Sequence, residues 1–220
     1  MANNKKNSKE YTNKSTDKPV NIILLGDPAA GKATHTRFLV RQYNCLELDM
    51  GKELRRLKEE DAKVAAALSS TLDKGKLTQT RLVRDIMHDF ISNLPTDKGI
   101  VFDGTPKMLG EARLVRKWLK EIGRSDKDIL VLYLKVTKDE MINRMNGRGI
   151  VVKGQFLKRS DDNLKALKNR IKYYETNIKT VIEYFKKYYS YKTISSMGTI
   201  KEVRKLIERQ VNEFISSGKI

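Results

Sequence analysis

Apolar residues gather in five short runs: Val20–Leu25, Cys45–Leu48, Gly99–Phe102, Ile129–Val136 and Tyr191–Ser195. Their length and composition predict buried strands. Between them the apolar positions recur at helical spacing. Phe38 and Leu39 open one stripe. Leu164, Leu167, Ile171, Tyr174, Ile178, Val181 and Phe185 mark a long helix, and Ile200, Val203, Ile207, Val211 and Phe214 mark a last one. The alternation predicts an α/β fold, a five-stranded parallel sheet between two layers of helices. Such a sheet binds ligands at the carboxyl ends of its strands. Two stretches read as inserts in a single domain over residues 20–220. Residues 50–84 carry short helical pieces with a turn at Asp73-Lys74-Gly75, and residues 149–158 form a short link between helices. Asp161 or Asp162 is placed to cap the long helix. Residues 1–19 are polar, lack the apolar core of a secretory signal, and read as a disordered tail.

The first strand runs into Gly26-Asp27-Pro28-Ala29-Ala30-Gly31-Lys32-Ala33-Thr34, and a helical pattern follows. A glycine-rich turn at the start of a helix points backbone N–H groups at the positive end of the helix dipole. That arrangement cradles phosphate, and Lys32 is placed to reach the outer phosphates of a nucleoside triphosphate. The sheet is thus read as a P-loop fold. Ala33 stands where many P-loops carry a hydroxyl for Mg²⁺. The ion is then held by substrate phosphates and water, or with help from a carboxylate. Asp103, at the end of the strand-like GIVFD, is the candidate for that role, through water. Its other reading is a turn or cap residue.

Arg144 and Arg148 are four apart and share a helix face. Arg159 and Arg170, eleven apart, can also point one way. Two such pairs around a short hinge can close over phosphates in bidentate fashion, although surface ion pairing is the plain alternative.

Composition narrows the rest. A net charge of +18 raises nucleic-acid binding as an option, but the lysines are dispersed, and 6 Phe and 1 Trp offer few stacking platforms. No nucleic-acid partner is expected. One cysteine, Cys45, excludes an internal disulfide and reads as a small buried hydrophobe. No apolar run approaches membrane-spanning length, so no membrane partner is expected, and a reducing, cytoplasmic setting fits.

Taken together, these pieces resemble the adenylate kinases, within the nucleoside monophosphate kinases. The family P-loop reads G-x-P-G-x-G-K-G-T, and Asp103-Gly104-Thr105-Pro106-Lys107 is similar to its D-G-[FY]-P-R segment. Arg144, Gly147-Arg148, Arg159-Ser160-Asp161-Asp162 and Arg170 match its arginine spacing. Gly51 with Arg55, and Gly75-Lys76-Leu77, resemble its monophosphate-binding insert. The resemblance implies ATP and a nucleoside monophosphate, with AMP first, as substrates, Mg²⁺ as cofactor, and a short lid at 149–158. A monomer is expected. It assigns Ala29, Ala30, Gly31, Lys32, Ala33, Thr34, Arg144 and Arg148 to ATP. It assigns Met50, Arg55, Lys76, Leu77, Thr78, Gly104, Lys107, Glu111, Arg159 and Arg170 to the monophosphate. Lys32, Arg144, Arg148, Arg159 and Arg170 carry the catalytic charge.

Several positions depart from the pattern. Ala29 and Ala33 replace glycines, which matters wherever φ is positive. Lys107 replaces an arginine, Met50 a threonine and Thr105 an aromatic residue. Glu111 stands where a glutamine reads the adenine edge. A carboxylate only accepts hydrogen bonds, so adenine would be half satisfied. A kinase with a different or relaxed acceptor base (GMP, CMP or UMP) is therefore one competing reading. A basic nucleotide- or nucleic-acid-binding protein without activity is another.

Overall fold

The computed structural model describes residues 18–69, 80–146, 150–152, 155–157 and 164–219. In chain order the elements are β1 (Asn21–Gly26), α1 (Lys32–Gln42), β2 (Cys45–Asp49), α2 (Met50–Glu60), α3 (Ala62–Ser69) and α4 (Thr80–Ser92). They continue with β3 (Gly99–Asp103), α5 (Leu109–Glu121), β4 (Ile129–Lys135), α6 (Lys138–Asn146), β5 (Ile150–Val152) and β6 (Gln155–Leu157). The chain closes with α7 (Leu164–Tyr188), β7 (Ser190–Ser195) and α8 (Ile200–Phe214).

Five strands form one parallel sheet in the order β2-β3-β1-β4-β7. All five expected runs are strands, with ends that differ by at most one residue. Every residue of β1 is buried. Its alternate side chains feed two separate cores, which is why the run is apolar throughout rather than every second residue. Ile23 and Leu25 pack with Met87 and Ile91 of α4, Val115 and Leu119 of α5, and Val181 and Phe185 of α7. Ile22 and Leu24 pack on the opposite face with Phe38 and Leu39 of α1 and with Val203, Ile207 and Val211 of α8. Because β1 lies between β3 and β4, its carboxyl end opens onto the crevice where the strand order reverses.

Ile178, Val181 and Phe185 are buried as the stripe on α7 predicts, and Ile171 and Tyr174 pack against the cores. The side chains of Leu164 and Leu167 lie outside the described residues, as do Asp161, Asp162 and the turn at Asp73-Lys74-Gly75. On α8, Ile200 departs from the expected stripe and is 58 % exposed. It is the first residue of a helix whose cap is a reciprocal box: Thr199 Oγ1 accepts from Glu202 N (3.3 Å) and Glu202 Oε2 accepts from Thr199 N (2.8 Å). The core contacts begin one turn later, at Val203. The link expected over 149–158 contains an antiparallel pair, β5 with β6, that hydrophobic spacing over so few residues did not reveal.

Cys45 is buried at the start of β2, and its Sγ donates to the carbonyls of Val20 and Tyr43 (3.3 Å each). Burial raises its thiol to about 12. Gly99 faces it from β3. A Cβ on Gly99 would stand 2.0 Å from the Val20 carbonyl oxygen and 2.8 Å from Cys45 Sγ. Backbone cannot yield there, so Gly99→Ala is expected to lower the unfolding free energy by about 3 kcal/mol or more in urea titrations.

Candidate active site

The turn from β1 to α1 is built by backbone geometry and then tied down. Ala30 N donates to Asp27 O (3.1 Å), and Gly31, at φ 85°, turns the chain into α1. Gly31 has no side chain with which to cap the helix, and no acidic residue stands in its first turn. That end of α1 is therefore suited to an anion from outside. Lys32 Nζ bends over the turn and donates to the carbonyls of Gly26 (2.6 Å) and Asp27 (2.9 Å). Ala29 has φ 59°, whereas Ala33 lies within α1. The two replaced glycines are thus unlike: only Ala29 carries left-handed strain.

Residues that the sequence did not single out fasten this turn. Asp27 accepts from Tyr133 Oη (2.5 Å) and from Val136 N (2.9 Å), both on or just after β4. Gly26 N donates to Tyr174 Oη of α7 (3.0 Å), whose ring stacks near Tyr133 with centroids 6.4 Å apart. Burial, and then the bond to Asp27, raise the Tyr133 phenol far above its ordinary range. From the other side, Ser196 Oγ donates to Ala30 O (2.7 Å). Ser196 O in turn accepts from Arg144 Nη2 (2.5 Å), while Arg144 Nε donates to Glu140 Oε1 (2.6 Å). Arg144 is thereby brought to the same region as Lys32. The one sequence signal that could have found Ser196 is a polar residue just past the end of β7.

Asp103 ends β3 directly opposite Asp49 at the end of β2. It is 6 % exposed, and no described residue donates a hydrogen bond to it. Burial pushes its carboxyl up to about 6, with Lys32 and Lys107 opposing and Asp49 and Glu47 adding to the rise. Glu47 is also raised, by burial and then by Asp49. A buried carboxylate with no side-chain ion pair among the described residues, influenced by Lys32, fits the donor chemistry of Mg²⁺.

Beyond Asp103 the chain turns through Gly104 and the buried Thr105, whose Oγ1 donates to Met87 Sδ (3.2 Å). Glu111 Oε2 then accepts from the backbone N–H of Lys107 (2.8 Å) and Met108 (3.2 Å), closing the first turn of α5. One oxygen of the expected base reader is therefore committed to a helix cap. On α2, Met50 is buried, and Asp49 Oδ1 caps the helix by accepting from Lys52 N (3.0 Å). The Arg55 guanidinium reaches back over Gly51. A Cβ there would lie 3.3 Å from Arg55 Nη1 and 3.2 Å from Asp49 Oδ1. Lys76, Leu77, Thr78, Arg148 and Arg159 lie outside the described residues. Arg170 falls on α7, but its side chain is also outside them.

The adenylate kinase family model matches residues 24–190, three quarters of the 220-residue chain and most of the sheet. The chain belongs to the adenylate kinase family. It is 30 % identical to an adenylate kinase of Parabacteroides distasonis, over 88 % of this chain and 98 % of that one. It is 28 % identical to one of Porphyromonas gingivalis, over 89 % and 97 % of the two chains. An adenylate kinase of Mycobacterium ulcerans is also 28 % identical, over 83 % and 93 %. The protein is thus an ATP-binding phosphotransferase, and the turn before α1 is its P-loop. No described helix is long and apolar enough to cross a membrane.

Two outcomes test this adenylate kinase P-loop. Ala29→Gly is expected to raise the unfolding free energy by about 0.5–1 kcal/mol by relieving the positive φ, whereas Ala33→Gly lowers it; denaturant titration distinguishes them. His35, one turn into α1, is buried with Nδ1 unpartnered among the described residues. Burial, then Arg204 and Arg144, lower its pKa from 6.5 to about 4. The unfolded chain therefore takes up this proton first as pH falls, and stability is lost between those two values. Wild-type protein is expected to lose more of its melting midpoint between pH 7 and pH 5 than His35→Gln does.

Proposed function

We propose that this enzyme transfers the γ-phosphoryl group of ATP to AMP, giving two ADP. The observation that carries the reading is the strapped turn between β1 and α1. It offers a helix start without a cap, the Lys32 ammonium at its mouth, and Arg144 fastened to it through Ser196. The monophosphate oxygen is already ionised at neutral pH and needs no general base, so the chain's task is alignment and charge stabilisation. Backbone N–H groups of the turn hold the β- and γ-phosphates. Lys32 exchanges its two carbonyl partners for phosphate oxygens and follows the charge as it develops. Arg144, its guanidinium fixed by Glu140 and Ser196, lies against the ATP side. Arg55, with Arg159 and Arg170, takes the monophosphate. Asp103 would hold Mg²⁺, through water, and the ion would supply charge neutralisation at the phosphates. Closure of the insert over 50–84 and the lid over 149–158 excludes water, the competing acceptor.

Glu111 favours a relaxed choice of acceptor. Its Oε2 serves the cap of α5. Only the other oxygen is left for a base, and it can accept from the adenine amine but cannot donate to the ring nitrogen. With ATP as donor, AMP is expected to be the best of AMP, GMP, CMP and UMP, but by less than about a thousandfold in kcat/KM, which corresponds to roughly 4 kcal/mol. A larger preference overturns the relaxed specificity. No ADP formed from ATP and AMP, or Lys32→Ala as active as wild type, overturns the reaction assignment.

A further inference from the structure

Asp27 puts a carboxylate into the turn that receives the triphosphate, at the open position of the pattern G-x-P. Its backbone is engaged on both sides. The N–H donates to Leu134 O (2.9 Å), and the carbonyl accepts from Ala30 N (3.1 Å) and Lys32 Nζ (2.9 Å). The residue is thus held in the turn, and its side chain starts close to the ammonium that serves the phosphates. An anion at this place has two effects. It repels phosphate, and it can draw Lys32 into an ion pair of their own.

The carboxylate is directed to β4 instead. Oδ1 accepts from Tyr133 Oη (2.5 Å) and Oδ2 from Val136 N (2.9 Å). Tyr133 is the register partner of Leu25, so its phenol comes up beside the start of the turn. A phenol has one proton. With that proton given to Asp27, Tyr133 Oη is left as an acceptor, and the Tyr174 hydroxyl serves it. Tyr174 Oη in turn accepts from Gly26 N (3.0 Å). The bonds run in one sense, from Gly26 N–H through Tyr174 and Tyr133, and they end on the Asp27 carboxylate. Burial, and then the bond to Asp27, hold the Tyr133 phenol far above its ordinary range, so it remains a donor.

We propose that Tyr133 is a positioning residue for ATP: its hydroxyl keeps the Asp27 carboxylate from pairing with Lys32 and so leaves the ammonium to the phosphates. Without that hydroxyl Oδ1 loses its donor, and Lys32, already bonded to the carbonyl of the same residue, is the cation at hand. The proposal rests on the reading that this turn takes the triphosphate of ATP, and its test is read by binding rather than by turnover. ATP with Mg²⁺, and AMP separately, are titrated calorimetrically into wild type, Tyr133→Phe and Tyr133→Phe/Asp27→Asn. Tyr133→Phe is expected to bind ATP at least about tenfold more weakly, with AMP affinity within about twofold of wild type. Asparagine keeps the shape and an acceptor for Val136 N but has no charge with which to hold Lys32. The double variant is therefore expected to regain ATP affinity to within about threefold of wild type. A bond that only stiffens the turn predicts the reverse, since the second substitution removes a further charge-assisted contact. Unchanged ATP affinity in Tyr133→Phe, or a double variant no tighter than Tyr133→Phe, overturns the proposal. Asp27→Glu, with Tyr133 intact, carries the carboxylate past the phenol and is expected to lose ATP affinity as Tyr133→Phe does. If melting curves show Tyr133→Phe unfolded, Asp27→Glu decides: ATP affinity within about threefold of wild type overturns the proposal. ADP formation by wild type is assayed in parallel. ATP binding without ADP formation overturns the reaction assignment alone, and an active wild type without rescue in the double variant overturns this inference alone.

Discussion

Ser196 donates its hydroxyl to the carbonyl of Ala30 across 166 residues of chain, and the site depends on that contact more than on any other. A loop that cradles phosphate must keep its N–H groups pointing inward. Its carbonyls must therefore find donors elsewhere, or they would turn into the cleft and repel the ligand. Here three of them are met by the chain's own groups: Gly26 and Asp27 by the Lys32 ammonium and Ala30 by Ser196. The Asp27 side chain is drawn away toward β4 by Tyr133 and Val136. The turn is therefore shaped before a nucleotide arrives, and binding need not supply the cost of ordering it.

The same economy links two further helices, α6 and α7, to the turn. Arg144 of α6 reaches the P-loop through the carbonyl of Ser196, and α7 reaches it through Tyr174, one turn past Arg170. α7 is bonded to the turn directly, and α6 is joined to it through Ser196. Such fastening suits a reaction that runs on alignment.

The sheet was legible because burial on both faces leaves an unambiguous mark: Ile22 to Leu25 can only be a central strand. The P-loop was legible because spacing and chemistry coincide within nine residues. What escaped notice depends on contacts between distant segments. Tyr133, Tyr174 and Ser196 read as strand, stripe and loop residues until β4, α7 and β7 are set around the turn. Glu47 falls inside the run Cys45–Leu48 and Asp49 just past it, and only register with β3 brings them to Asp103. Glu111 was read for its chemistry toward a base, and its place at the third position of α5 adds a second duty that sequence alone gave no reason to choose. For Ala29 and Ala33 the sequence posed the question and the backbone angles separated them. The pair β5–β6 is too short for its period to stand out, and Ile200 stands ahead of the first turn that meets the core.

The seclusion of Cys45 has a practical consequence. The chain has one thiol, and it is buried at the start of β2 with its S–H directed at the carbonyls of Val20 and Tyr43. Buried and protonated, that thiol is expected to react slowly with maleimide dyes in the native protein. Thiols introduced on the surface can therefore be tagged at chosen points without first removing the natural one, which gives single-molecule energy-transfer measurements of opening and shutting an unmodified background.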